Sequence, residues 1–317
     1  MSNMGKGGEG TSSQEAPLHG MERVKYLLLS GLFAFVGVIP FRLLYLLSDL
    51  MAFLLDDVIR YRRKVVEGNL RSCLPELPDD DLKRTRKRFY RFLGDYFLET
   101  AKMGSMSETE IRRRMRFENI DVISERLRSG ENVSLLLGHY CNWEWVSSLP
   151  LHFPPEAACG QIYHRLHSAA ADRLFLKVRG HFGATSIAMA DTLRVLLGWK
   201  REGKASVVGY IADQAPKVHS AAHWMDFLHH DTAVFTGPER ISQKLRCSVF
   251  YLDMEQVKRG YYVGRFVELT RDASQEAPMK VTEAYFRMLE QTIEARPPFW
   301  LWSHKRWKRS RADYARK

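Results

Sequence analysis

A single α/β domain built on a mixed, largely parallel sheet flanked by helices is the fold this sequence predicts, and three observations predict it. Short apolar runs of strand length alternate with helix-patterned segments from about residue 118 to residue 295. The chain has 317 residues and 45% hydrophobic content, enough for one large core. Its four cysteines, Cys73, Cys141, Cys159 and Cys247, form no Cys-x-x-Cys pair, so neither a disulfide framework nor a structural zinc replaces that core, and a reducing compartment is expected.

In chain order, residues 1–20 are rich in Gly, Ser and Glu without apolar periodicity and read as a disordered tail. Residues 21–60 read as a membrane-anchoring hydrophobic segment. Within it residues 26–41 carry no charge, and the apolar character continues to residue 55 past Arg42 and Asp49. A bilayer crossing needs about 20 apolar residues, and Pro40 and Arg42 interrupt this stretch, so the anchor is expected either to span once or to lie in the interface. No small-x-small cleavage site follows it, so a signal peptide fits poorly.

Residues 79–103 begin after Pro78 with three aspartates and place Leu82, Phe89, Phe92, Leu93, Tyr96 and Phe97 at helical spacing. Further helices are expected over 121–129, 143–149, 172–179, 191–203, 237–245 and 279–295. Strands are expected over 133–137, 157–163, 205–212, 247–254 and 261–269. In such sheets functional groups collect beyond the carboxyl ends of the strands. His139 and Asp213 stand at two of those ends.

Forty-eight Lys and Arg against 37 Asp and Glu give a net charge of +11, so anionic partners are expected: nucleic acid, an acidic membrane surface or an acidic protein. Arg60, Arg62, Arg63 and Lys64, the six cations of residues 83–91, and Arg112, Arg113, Arg114 and Arg116 follow the apolar segment, as juxtamembrane clusters on a cytoplasmic leaflet do. No nucleic-acid-binding motif accompanies the charge, which argues against nucleic acid. The terminal Trp300, Trp302 and Trp307, interleaved with His304, Lys305, Arg306 and Lys308, read either as an interfacial band meeting phosphates or as a tryptophan-rich core edge with a basic tail. His pairs such as His164/His167 and His219/His223 lack a third ligand at fixed spacing, and no Walker loop or dinucleotide fingerprint occurs, so no metal and no tightly bound cofactor are expected.

The most informative stretch is His139-Tyr140-Cys141-Asn142-Trp143-Glu144, directly after strand residues 133–137 and Gly138. Residues five apart on a helix stand about 140° apart around its axis, so His139 must precede the helix, where Glu144 on the first turns reaches back to one imidazole nitrogen. That is the base-plus-orienter arrangement of a hydrolase triad, with the substrate supplying the hydroxyl. An ordinary strand-to-helix turn has the same spacing. Cys141 is a rival nucleophile, but nothing nearby activates its thiol.

The stretch from Leu137 to Trp145 resembles the histidine-acid (HX4E) motif of the late acyltransferases of lipid A biosynthesis, the lauroyl and myristoyl transferase family, which reads Gly-His-x-Gly-Asn-Trp-Glu; Cys141 stands where that family has glycine. Asp172-Arg173-Leu174 to Arg179-Gly180, Ala212-Asp213-Gln214, Thr236-Gly237-Pro238-Glu239 and the ending from Pro298 to Lys308 match in order, so the resemblance covers about residues 38–308. It implies a glycerophosphate-acyltransferase-like fold with residues 61–317 as the acyltransferase domain. It also implies transfer of a fatty acyl chain from acyl carrier protein to a hydroxyl of a phosphorylated glycolipid, at the cytoplasmic face of the inner membrane. In that reading His139 is the base, Glu144 holds its tautomer, and Arg179, with Arg173 as close rival, stabilises the oxyanion. Asp213 shapes the acceptor site or holds that arginine, unless it merely caps a helix. Glu239 contacts acceptor hydroxyls or is a helix N-terminal charge. Two other readings stay open: the same chemistry on a glycerophospholipid, aminolipid or aryl-polyene hydroxyl, and a non-catalytic membrane-anchored lipid-binding protein.

Overall fold

The computed structural model describes residues 17–217 and 222–315. The expected tail lies outside the described residues as far as residue 16, and so does His219. The apolar N-terminal segment is not one helix. It forms α1 (Gly20–Val38) and α2 (Phe41–Phe53), separated at Ile39 and Pro40, because proline has no N–H to donate to the preceding turn. Among the described residues no helix is long and apolar enough to cross a membrane, so the spanning form of the expected anchor is corrected. Leu27, Leu28 and Leu32 of α1 and Leu43, Leu46 and Leu50 of α2 nevertheless stand more than half exposed.

Helices α3 (Arg63–Cys73), α4 (Asp79–Met103) and α5 (Glu108–Arg114) follow. The α4 boundaries are those the Pro78 start and the helical spacing predict, with Asp79, Asp80 and Asp81 favourably placed at the positive end of the helix dipole. Phe89, Phe92 and Leu93 are buried as expected, but Phe97 is 46% exposed. Many cations of the basic clusters are engaged within the chain. Arg86 bonds Asp56 and Glu67, Arg91 bonds Asp49, Arg113 and Arg114 both bond Glu110, and Arg112 reaches the carbonyl of Leu151.

The α/β part runs β1 (Met115–Glu118), α6 (Ile120–Arg128), β2 (Val133–Leu137), β3 (Ala158–Tyr163), α7 (Ala169–Arg179), β4 (Thr185–Ala188), α8 (Thr192–Arg201), β5 (Ser206–Ile211), β6 (Ala222–Phe227), β7 (His230–Phe235), α9 (Gly237–Leu245), β8 (Ser248–Lys258), β9 (Tyr261–Thr270), α10 (Lys280–Ala295) and α11 (Arg311–Ala315). Seven of these strands form one sheet in the order β1-β9-β8-β2-β5-β3-β4, with only β8 and β9 pairing antiparallel. The expected strands are all present. The short edge strands β1 and β4 and the separate β6–β7 hairpin are additions, too short or too polar to show as apolar runs. Residues 143–149, read as a helix, lie instead in a run of 3-10 turns, Trp143–His152, with Pro150 inside it.

The N-terminal helices are part of this unit rather than an appendage. At Gly94 of α4, a Cβ atom would come within 2.9 Å of both the backbone oxygen and the hydroxyl of Ser48, so the glycine lets α2 and α4 touch. Ser48 Oγ donates to Asp95, and Arg259, from the turn between β8 and β9, bonds Asp95 and Asp49 together. One turn along, the wholly buried Glu99 accepts Tyr45 of α2, Tyr262 of β9 and Asn142 of the histidine motif. Burial, and then the nearby Asp95 charge, push its carboxyl up to about 7 against those three donors.

Gly94→Ala should therefore lower stability by roughly 1–3 kcal/mol through overpacking. Gly68→Ala, at an exposed helical position with nothing within 4 Å, should raise it by roughly 0.5–1 kcal/mol. Thermal or urea melts of the two variants measure both; a neutral Gly94→Ala would refute the close-approach argument.

Candidate active site

The sheet register brings the two strand-end residues together. In the β2–β5 ladder Leu137 stands opposite Ile211, so two residues further on His139 faces Asp213. His139 Nδ1 lies 2.6 Å from Asp213 Oδ1, and the His139 backbone N–H donates to Oδ2 at 2.9 Å. Gly138 leaves room beside the pair: a Cβ there would come within 2.6 Å of the Leu289 side chain on α10. The indole of Trp300 donates to the same oxygen at 2.8 Å. Burial alone would push the Asp213 carboxyl up. The charge of a protonated His139 and the hydrogen bonds from His139 and Trp300 outweigh it and hold the group to about 2.

Trp300 arrives with the C-terminal segment, which pairs edge-on with the histidine motif: Tyr140 bridges Trp300, Cys141 N–H donates to Phe299, and Leu301 N–H donates to the His139 carbonyl. The interfacial reading of this tryptophan cluster is thereby corrected. Trp300 and Trp302 are 2% and 0% exposed and packed edge to face, with the Trp300 indole spent on Asp213 and the Trp302 indole on the Pro297 carbonyl. Cys141 is not a nucleophile either. It is fully buried, burial drives its thiol well above the usual range, and it occupies a left-handed φ of 51°, the backbone region for which glycine is suited.

Glu144 does not orient His139, which corrects the expected pairing. Its carboxylate accepts Arg179 Nε at 2.7 Å and Nη2 at 2.6 Å, with Tyr96 at 3.3 Å, because the turn at Cys141 and the 3-10 segment carry it toward α7. The bidentate pair is well buried, Glu144 at 4% and Arg179 at 21% side-chain exposure. Arg179, expected at the oxyanion, thus has two of its nitrogens engaged by Glu144 in the cavity wall. Arg173, six residues earlier on α7, is about 240° away around the helix and is not among the residues lining the cavity. Glu239 is not among the residues lining the cavity and stands in the first turn of α9, as its alternative reading has it. It is 1% exposed and its carboxylate accepts the Thr282 N–H and hydroxyl, joining α9 to the first turn of α10.

His139, 18% exposed, stands on a cavity of about 1190 Å³, beyond the roughly 300–1,000 Å³ of common ligand sites. Leu137, Val207 and Gly209 from the sheet, with Val146, Leu149 and Pro150 opposite, give it an apolar interior. Arg165, Lys217, Lys308 and Arg309 also line it and supply positive charge. Gln214, in the block after β5 but without an expected role of its own, places its side-chain nitrogen 3.1 Å from His139 Nε2. Its neighbourhood to Asp213 in the sequence was the available signal.

An imidazole held by a carboxylate at a largely apolar cavity is equipped to take a proton from a hydroxyl, the step an acyl transfer onto oxygen requires. The chain belongs to the bacterial lipid A biosynthesis acyltransferase family, whose sequence model matches residues 15–309, and it is an enzyme of that acyl-transferring class. The family implies an acyl donor and a lipid acceptor. No curated protein matches the chain.

The two carboxylates should separate in a double-mutant cycle. Glu144→Ala and Arg179→Ala should each cost roughly 3–5 kcal/mol by leaving a buried charge alone, and the double variant should cost clearly less than their sum. Glu144→Ala combined with Asp213→Ala should add. Because the folded carboxyl of Asp213 lies below the unfolded value of about 3.9, its contribution is present above pH about 4 and lost as pH falls toward about 2. Melts of the native chain and Asp213→Asn across that range should converge at the acid end; coupling between Glu144 and Asp213 instead of Arg179 would overturn the assignment.

Proposed function

We propose that the chain is a membrane-associated O-acyltransferase that moves a fatty acyl chain from acyl-acyl-carrier-protein to a hydroxyl of a lipid A precursor. The observation that carries this reading is the Asp213–His139 pair at the cavity. Asp213 accepts Nδ1–H and leaves Nε2 with its lone pair toward the acceptor, so Nε2 takes the hydroxyl proton as the oxygen attacks the thioester carbonyl. The imidazolium that forms is neutralised by the Asp213 carboxylate and returns its proton to the leaving thiolate. The apolar interior takes the acyl chain, and the cationic residues of the cavity suit acceptor phosphates.

Acyl carrier protein as donor is supported by the net charge of +11, which favours an acidic partner. Membrane association is supported by the exposed leucines of α1 and α2, apolar side chains left uncovered on two consecutive helices, and the cytoplasmic face of the inner membrane is where this reading seats them. The same chemistry on a glycerophospholipid, aminolipid or aryl-polyene hydroxyl differs only in acceptor. A non-catalytic lipid binder has no use for a base held in one tautomer.

With purified chain, radiolabelled acyl-acyl-carrier-protein and a lipid A precursor, acyl transfer should occur and His139→Ala should reduce it roughly 10²–10⁴-fold. Undiminished transfer by the variant would sink the base assignment, and no transfer to any lipid by the native chain would favour the binder. Flotation with anionic phospholipid vesicles should carry the native chain, and Leu46→Glu with Leu50→Glu should lower the bound fraction several-fold. Equal flotation of both proteins would exclude this seat.

A further inference from the structure

We infer that Gln214 is a further catalytic residue, whose carboxamide covers the base in the resting enzyme and donates to the oxyanion during transfer; this rests on the acyl-transfer reading of His139. The Asp213 carboxylate can only accept, so the 2.6 Å contact places a proton on His139 Nδ1, and in the neutral imidazole that acts as base Nε2 is then the acceptor. The Gln214 side chain at 3.1 Å must therefore present N–H, and its nitrogen sits at the hydrogen-bond distance the substrate hydroxyl requires of the same Nε2. The hydroxyl reaches the base only by displacing it.

A displaced amide in a partly buried site needs a new acceptor. The acyl carbonyl that the hydroxyl attacks offers one within a bond or two of the base. Gln214 follows Asp213 directly at the end of β5 and lines the cavity, so a small shift of the side chain carries its donors from Nε2 to that carbonyl. Arg179, the expected oxyanion group, is held by Glu144 through two nitrogens. His304 also lines the cavity, but burial lowers it to about 4, so at neutral pH it brings no positive charge.

The step balances without a further reagent. The hydroxyl proton moves to His139 Nε2, the oxygen–carbon bond forms, and the carbonyl electron pair moves onto its oxygen, where the Gln214 N–H donates. Collapse restores the carbonyl and breaks the carbon–sulfur bond. The thiolate takes the proton from the imidazolium and leaves as a thiol.

The test measures steady-state transfer and, separately, the slow hydrolysis of the acyl thioester without acceptor, in the full chain and in Gln214→Ala and Gln214→Glu. Loss of one oxyanion donor should lower kcat roughly 10²–10³-fold, with KM for both substrates within about threefold. Acceptor-free hydrolysis should fall in parallel, since it passes through the same oxyanion. Gln214→Glu keeps the shape, removes the donors and decides the matter if the alanine variant melts early. Unchanged kcat in the glutamate variant, or a loss confined to acceptor KM with hydrolysis intact, would overturn the proposal. If His139→Ala is inactive while Gln214→Glu is fully active, only the glutamine role falls; if His139→Ala retains transfer, the acyl-transfer reading of the histidine falls with it.

Discussion

Three donors converge on the two oxygens of Asp213: the backbone N–H and ring nitrogen of His139, and the indole of Trp300. A carboxylate with 2% exposure is costly to bury unless its lone pairs are met. Here they are met only when three distant parts of the chain are in place, the end of β2, the end of β5 and the segment after α10. The β2–β5 register supplies the first two, and one residue of slip would turn His139 and Asp213 to opposite faces. Trp300 supplies the third. The imidazole is thus oriented by the completed fold, and the chemistry proposed for it depends on residues near the C-terminus as much as on the motif that carries it.

A second buried carboxylate ties the periphery to the same turn. Glu99 joins α2, β9 and Asn142, and Asn142 in turn caps the 3-10 segment through the Trp145 N–H. The left-handed conformation of Cys141, of the kind that costs on the order of 1–3 kcal/mol outside glycine, is tolerated because its neighbours over-determine it. Phe299 accepts its N–H on one side and Asn142 is anchored to Glu99 on the other. Helix α2, with its exposed leucines, is thereby tied to the turn after His139 through Tyr45, Glu99 and Asn142.

Sequence periodicity and strand-end logic made much of this legible. The apolar runs that became β2, β3, β5, β8 and β9 are long enough to announce themselves, and Pro78 with three aspartates marks the start of α4. What stayed hidden depends on contacts between segments far apart in sequence. His139 and Asp213 are 74 residues apart, and only the register of a sheet pairs them. Glu144 is near His139 in sequence and so draws the orienter role, but its proximity along the chain is undone by the turn at Cys141. Trp300 and Trp302 look like membrane-interface residues because tryptophan next to cations suits both an interface and a buried wall. Composition alone does not separate those two.

The five-residue spacing of His139 and Glu144 therefore joins two functions rather than one pair. Asp213 serves the proton, and Glu144 serves the wall. Arg179 lines the cavity together with apolar residues such as Leu137, Val146, Leu149 and Val207, and a guanidinium left alone among them would draw water into that part of the space. A bidentate carboxylate cancels that charge while keeping both groups in place. With His139 at the strand end and Glu144 on the following turns, one short segment brings an imidazole to the cavity, the base of the proposed reading, and cancels the charge of Arg179. A motif of this kind ties the spacing to the geometry of the cavity, without any contact between its histidine and its acid.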